Sequence, residues 1–167
     1  GKKTARLAKA FGMNVTYYDI RRLSEDEEDQ LGVRFRVLRE ILRESDFISL
    51  HVPLDETTRH MIGKPALEEM QPHAILVNTA RGPVIDEKAL SEHLAAGKIF
   101  GAGLDVFDQE PPPADNPLFG LDNVLLTAHF AGPTSDNHTA RFRNAFDNCQ
   151  RVERGEKPLW RVAGAEA

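Results

Sequence analysis

What most constrains this chain is a repeated switch between two hydrophobic periods. Five short runs rich in β-branched, aliphatic or aromatic residues read as strands: "NVTYYDI" (14–20), "FISLHVP" (47–53), "AILVNTA" (74–80), "IFGAGLDVF" (99–107) and "NVLLTAHF" (123–130). Helical spacing of apolar residues marks 2–11, stopped by Gly12, then 37–46, 86–97 with an acidic first turn, and 134–155, ending at Gly155. Apolar strands that alternate with helices imply an α/β fold with a parallel sheet covered on both faces. The acidic run "LSEDEEDQ" (23–30) reads as a solvated loop, and "QEPPPADNP" (109–117) as a proline-rich one. "DETTRHMI" and "GKPALEEM" read as short helical turns.

Bulk numbers narrow the function classes. The 167 residues suffice for one core, and 41% hydrophobic with 28% charged residues is ordinary for a soluble globular protein. No apolar stretch approaches the roughly 20 residues needed to span a bilayer. The opening "GKKTARLAKAFG" is an amphipathic helix pattern rather than a signal peptide. A net charge of −5 argues against a nucleic-acid surface, which needs a basic stripe. The one cysteine, Cys149, excludes an internal disulfide framework, fits a reducing cytoplasm, and reads as a small buried hydrophobe on a helix. His51, His60, His73, His93 and His138 lack tight metal-ligand spacing and are given no metal role.

The stretch "ILVNTARGP" (75–83) raises a question: an apolar strand ends on a permanently charged guanidinium, Arg81. In open parallel sheets ligands gather outside the carboxyl ends of the strands. There the sequence places Asp19, then His51 and Pro53, then Thr79, Ala80 and Arg81, then Asp105 and Glu110, and finally His129. An Arg, a Glu and a His on one sheet edge form an anion clamp with a proton-transfer pair. Each also has a blander reading: a strand-end ion pair for Arg81, a solvent-facing loop acid for Glu110, a structural ring for His129, a turn cap for Asp19. Gly1 opens a helix and Asp19 ends the following strand, as the last glycine and the ribose-binding acid of a dinucleotide fingerprint do.

"VNTARGPVIDEKAL", "GAGLDVFDQEP" and "NVLLTAHFAG", in this order and preceded by "SDFISLHVPLDETTRHMIG", resemble the NAD-dependent D-isomer-specific 2-hydroxyacid dehydrogenase family. The likeness runs from about residue 1 to 160. It implies a Rossmann-like domain over 1–155 and a tail, 156–167, that starts a return to a substrate domain. It implies, too, that the first strand, most of the phosphate loop and the substrate domain would lie before residue 1. By the resemblance Arg81 binds substrate, Glu110 partners the catalytic histidine, and His129 is the acid/base. Gly1, Asp19, His51, Pro53, Thr79, Ala80, Arg81, Asp105, and the stretch holding His129, Ala131 and Gly132 match cofactor-contacting positions. Phe130 and Pro133 depart from the usual pattern and bear on the nicotinamide pocket.

Chemistry reaches the same assignment from the substrate. A 2-keto acid offers a carboxylate to a bidentate guanidinium and a carbonyl oxygen that needs a proton as hydride arrives at carbon. Histidine titrates near neutrality, and a carboxylate beside it fixes its ring. The implied cofactor is NAD, because Asp19 suits a ribose diol and repels a 2′-phosphate, while Arg21 and Arg22 leave NADP open. The implied partners are a small 2-hydroxy or 2-keto acid and a second copy in a homodimer, with neither nucleic acid nor membrane. Two other readings stand beside the oxidoreductase: a nucleotide-sensing, corepressor-like binding protein on the same fold, and an inactive truncated remnant.

Overall fold

The computed structural model describes residues 1–132 and 134–161, with Asp136 described for its backbone alone. It divides into two compact units, Gly1–His129 and Phe130 onward. The first unit opens with helix α1 (Lys2–Ala10), whose amino end is capped by Gly1. Gly12 follows with φ +81°, the left-handed conformation that ends the helix where the sequence predicts. Strand β1 (Val15–Tyr17), helix α2 (Glu25–Leu31) and strand β2 (Val33–Phe35) come next. Then follow α3 (Leu38–Glu44), β3 (Phe47–Leu50), α4 (Lys64–Glu68), β4 (Ile75–Asn78), α5 (Glu87–Ala95), β5 (Gly101–Leu104) and β6 (Val124–Leu126). The second unit carries α6 (Ser135–Glu153).

Every strand pairing is parallel. The strands form a four-stranded sheet in the order β3-β4-β5-β6 and a separate pair, β1-β2. The core lies against the larger sheet. Ile48 and Leu50 on β3, Leu76 on β4, and Ala102 and Leu104 on β5 are buried with Leu42, Leu67, Leu90 and Leu94 from α3, α4 and α5. Each fully buried Leu or Ile contributes about 1.5–3 kcal/mol relative to exposure. Asp86 caps α5 by accepting the Ala89 N–H at 3.0 Å, which fixes where the helix starts after β4.

The α/β architecture is the one the periodicity implies, with three local corrections. The acidic run 23–30 is not a solvated loop; most of it is α2. Ser24 accepts the Glu27 N–H while the Glu27 carboxylate accepts the Ser24 N–H, a reciprocal cap that satisfies two otherwise orphaned donors. Strand β2 lies in a stretch the apolar-run reading passed over, because "VRF" is too short and has an arginine at its centre. Cys149 is exposed, not buried. Residues 162–167 of the expected tail, and Pro133, lie outside the described residues. No helix among the described residues is long and apolar enough to cross a membrane.

Candidate active site

Strand register puts the carboxyl edge in order. Leu50 pairs with Asn78, Asn78 with Leu104, and Leu104 with Leu126. The next residue on each strand, His51, Thr79, Asp105 and Thr127, therefore forms one row. The row is tied laterally: the Asp105 N–H donates to the Asn78 carbonyl at 3.0 Å, and Thr127 Oγ1 donates to Asp105 Oδ1 at 2.6 Å. Asp105 is buried, as a short strand-end acid held from both sides can be. His51 stands at the amino end of α1, where a Cβ on Gly1 would lie 3.6 Å from the His51 Cβ. Burial lowers the His51 pKa. Its Nε2 shares a 3.0 Å hydrogen bond with Ser49 Oγ. Pro53, two residues on, accepts the Thr58 hydroxyl at its carbonyl, 2.8 Å away.

Arg81 leaves the strand through a turn built by Asn78. The buried Asn78 side chain accepts the Ala80 N–H at 3.0 Å and donates to the Arg81 carbonyl at 2.9 Å. The Arg81 guanidinium is exposed and donates to the Ala80 carbonyl at 2.6 Å. Gly82 follows because nothing larger fits: a Cβ there would stand 1.8 Å from the Phe107 carbonyl oxygen. The backbones after β4 and β5 thus touch directly at this point.

Glu110 and His129 meet on this edge. His129 Nδ1 lies 2.8 Å from Glu110 Oε2, while Glu110 Oε1 accepts the Phe107 N–H at 3.1 Å. Burial pushes the Glu110 pKa up. The hydrogen bonds from His129 and Phe107, with the charges of His129 and Arg81, more than offset it and hold the carboxyl below its ordinary range. Glu110 is thus touched directly by His129 and lies within reach of the Arg81 charge. An ionised carboxylate only accepts, so Nδ1 carries the hydrogen and Nε2 is the nitrogen left for proton exchange. His129 adopts φ +59°, a left-handed conformation a non-glycine residue holds only when its surroundings require it.

Not every candidate joins this group. Asp19 lies beyond β1, exposed, with Oδ1 accepting the Arg21 N–H at 2.8 Å, so it caps a turn as its simpler reading had it. Ala131 and Gly132 belong to the second unit, where the Gly132 carbonyl accepts the Thr134 N–H and Asn137 Nδ2. Two residues escaped the sequence reading. Asn78 and Thr127 carry no charge and sit inside apolar runs; the signal for Asn78 was a lone amide closing a buried strand just before a tight turn.

Residues 1–131 match the family described as D-isomer specific 2-hydroxyacid dehydrogenase, NAD binding domain. The chain belongs to that family. It is 51% identical to the glyoxylate reductase of Korarchaeum cryptofilum over 95% of this chain and 47% of that protein. The holo form of D-mandelate dehydrogenase from Rhodotorula graminis aligns with a TM-score of 0.91 and 34% identity, covering 99% of this chain and 49% of that one. D-lactate dehydrogenase with NAD+ from Lactobacillus jensenii gives 0.88 and 31%, covering 98% and 52%. The chain spans about half the length of the glyoxylate reductases it matches. As a 2-hydroxyacid dehydrogenase NAD-binding domain, it answers in part the question that Arg81 raises: the charged strand mouth lies on the edge where such folds bind their ligand.

Proposed function

We propose that this domain serves an oxidoreductase that interconverts small 2-keto acids and D-2-hydroxy acids with NAD. The observation that carries the reading is the 2.8 Å Glu110–His129 pair with Arg81 close enough to lower the Glu110 pKa. The relatives named glyoxylate reductase and D-lactate dehydrogenase support the substrate class.

The row His51, Thr79, Asp105 and Thr127 fits a dinucleotide lying across the strand ends, with Gly1 at the amino end of α1 beside it. Pro53 and Ala80 flank the row. Bound there, a nicotinamide supplies the hydride. Arg81 takes the keto acid's carboxylate in its planar fork and so sets the orientation of the carbonyl. His129 Nε2 gives its proton to the carbonyl oxygen as carbon is reduced, and takes it back in the oxidation. Glu110 grips Nδ1, fixes the ring, and balances the charge that the ring bears when protonated.

The NAD preference rests on the end of β1. Asp19 spends one carboxylate oxygen on its turn and keeps the other for a ribose hydroxyl. Of the two arginines that follow, Arg22 is held by Glu28 at 3.1 Å and stacks over Phe35 at 5.2 Å. The proposal keeps residues 1–155 as the dinucleotide-binding domain and 156–167 as the start of a return to a substrate domain. A homodimer belongs to it also. The exposed apolar Leu7 on α1 and Phe11 just after it, 64% and 86% accessible, are consistent with a surface that a second copy covers.

The test is the complete polypeptide assayed with NADH and NADPH against glyoxylate, hydroxypyruvate, pyruvate and larger keto acids. Efficient NADH-dependent reduction of at least one is expected. NADH binding without turnover of any would favour the nucleotide-sensing reading and defeat this one.

A further inference from the structure

We infer that Glu87 is a positioning residue for the acid–base pair, clamping both ends of the loop that carries Glu110; the inference rests on the acid–base reading above. Glu87 is the first residue of α5. Its Oε2 accepts the Asp108 N–H at 2.9 Å and its Oε1 accepts Asn116 Nδ2 at 2.7 Å. Those two partners bracket "DQEPPPADN", residues 108–116, and Glu110 lies between them.

Within the loop the Asn116 N–H donates to the Pro113 carbonyl at 3.0 Å, which closes one turn at its far end. Pro111, Pro112 and Pro113 contribute no N–H, and most of residues 108–115 are exposed. Asn116 is buried and anchored in turn, since its Oδ1 accepts the Leu118 N–H at 2.9 Å. A carboxylate that accepts from both ends of a proline-rich loop shortens its conformational range. The Glu110 carboxylate then stays where the Phe107 N–H and His129 Nδ1 can both reach it.

The clamp also indexes the loop on the substrate-binding segment. Gly82, next to Arg81, packs against the Phe107–Asp108 backbone so closely that a Cβ would lie 2.5 Å from the Asp108 nitrogen. Glu87 grips that same nitrogen from five residues further along the chain. One segment, 81–87, therefore carries the guanidinium and fixes the loop that carries the acid. Displacing the acid by even about 1 Å relative to its partners can cost on the order of 100-fold in rate. The simpler alternative is that an acid at a helix's first turn merely stabilises α5 through its dipole. That role would change the melting temperature and leave the chemistry of the folded fraction alone.

The experiment compares Glu87→Ala and Glu87→Gln in the complete polypeptide, with NADH and glyoxylate or whichever keto acid it reduces best. Glu87→Ala is expected to lower kcat about 10- to 100-fold, with KM and NADH affinity within about twofold of the parent, as a loss outside the binding contacts requires. Glu87→Gln is expected to recover only part of that loss, because its single amide oxygen can accept the Asp108 N–H while its NH2 meets the Asn116 Nδ2 donor. A titration of the 13C-labelled Glu110 carboxyl gives a readout that needs no turnover. Its midpoint should rise toward the ordinary carboxylate value in Glu87→Ala as its hold on Phe107 and His129 loosens. An unchanged kcat with an unchanged Glu110 titration overturns the inference, as does a lower melting temperature with parent kcat in the folded enzyme. Glu110→Gln and His129→Ala run alongside. If these fall while Glu87→Ala does not, only the clamp fails; if these too keep parent rates, the acid–base reading itself fails.

Discussion

The four strands β3–β6 and the pair β1–β2 belong to one unit, yet different interactions hold them. The larger sheet sends Ile48, Leu50, Leu76, Ala102 and Leu104 into a shared apolar core. Of residues 1–36, by contrast, only Val33 and Glu28 are buried. Glu28 organises that end: it accepts from Tyr17 Oη at 2.9 Å and from Arg22 Nε at 3.1 Å, and Tyr17 Oη accepts the Leu23 N–H at 2.8 Å. The Tyr17 and Phe35 rings meet edge to face at 5.6 Å. The hydrogen bond from Arg22 is the largest cause of the lowered Glu28 pKa. The difference teaches where rigidity is placed. The apolar sheet holds the proposed acid–base pair fixed, while the end proposed for the adenosine ribose depends on charge and hydrogen bonds.

Four experiments break or sharpen that contrast. Gly82→Ala should be the most damaging, because its Cβ would overlap the Phe107 carbonyl at 1.8 Å. We expect loss of a cooperative thermal melt, and a parent-like melt would show that the β4 and β5 backbones part more easily than they are packed. Leu76→Ala, at a position with 0% exposure in the middle of the larger sheet, should cost about 2–5 kcal/mol in urea unfolding. Glu28→Ala should act locally. Exchange of the Arg36 amide, which donates to the Tyr17 carbonyl at the β1–β2 end, should quicken, while the amides of Leu76 and Val77 stay protected. Equal acceleration in both regions would erase the distinction.

Acid gives the mildest form of the same test. The folded Glu28 pKa lies below its ordinary 4.5. The stability this confers is complete above that ordinary value and is lost as pH falls through the lowered one. Protection factors of the β1–β2 amides should therefore fall on acidification before those of β4 and β5 do. Simultaneous loss would show that the pair depends on the common core rather than on its own ion pair.

The same contrast explains what was legible beforehand. β3 to β6 declared themselves as apolar runs, and the residues after them, Arg81, Asp105, Glu110 and His129, followed from topology. The β1–β2 end hid its structure in charge. Glu28 is an acid in an acidic run, and only the Ser24–Glu27 spacing signalled that the run was a helix. A buried carboxylate satisfied by a tyrosine and an arginine leaves no hydrophobic period to read. Cys149 failed for a related reason: helical spacing says that a residue lies on a helix, not which face of that helix finds cover. Asn78 and Glu87 matter through the backbone groups they hold, and such partners appear only when strands are in register.

The most direct test of the central claim is the turnover of His129→Ala in the complete polypeptide, measured with NADH and its best keto acid. The account predicts a fall in kcat of about 10²- to 10⁴-fold, the usual worth of a positioned general acid, with NADH affinity within about twofold of the parent. Turnover at the parent rate would contradict it, because no proton donor would then be needed where Glu110 holds this imidazole.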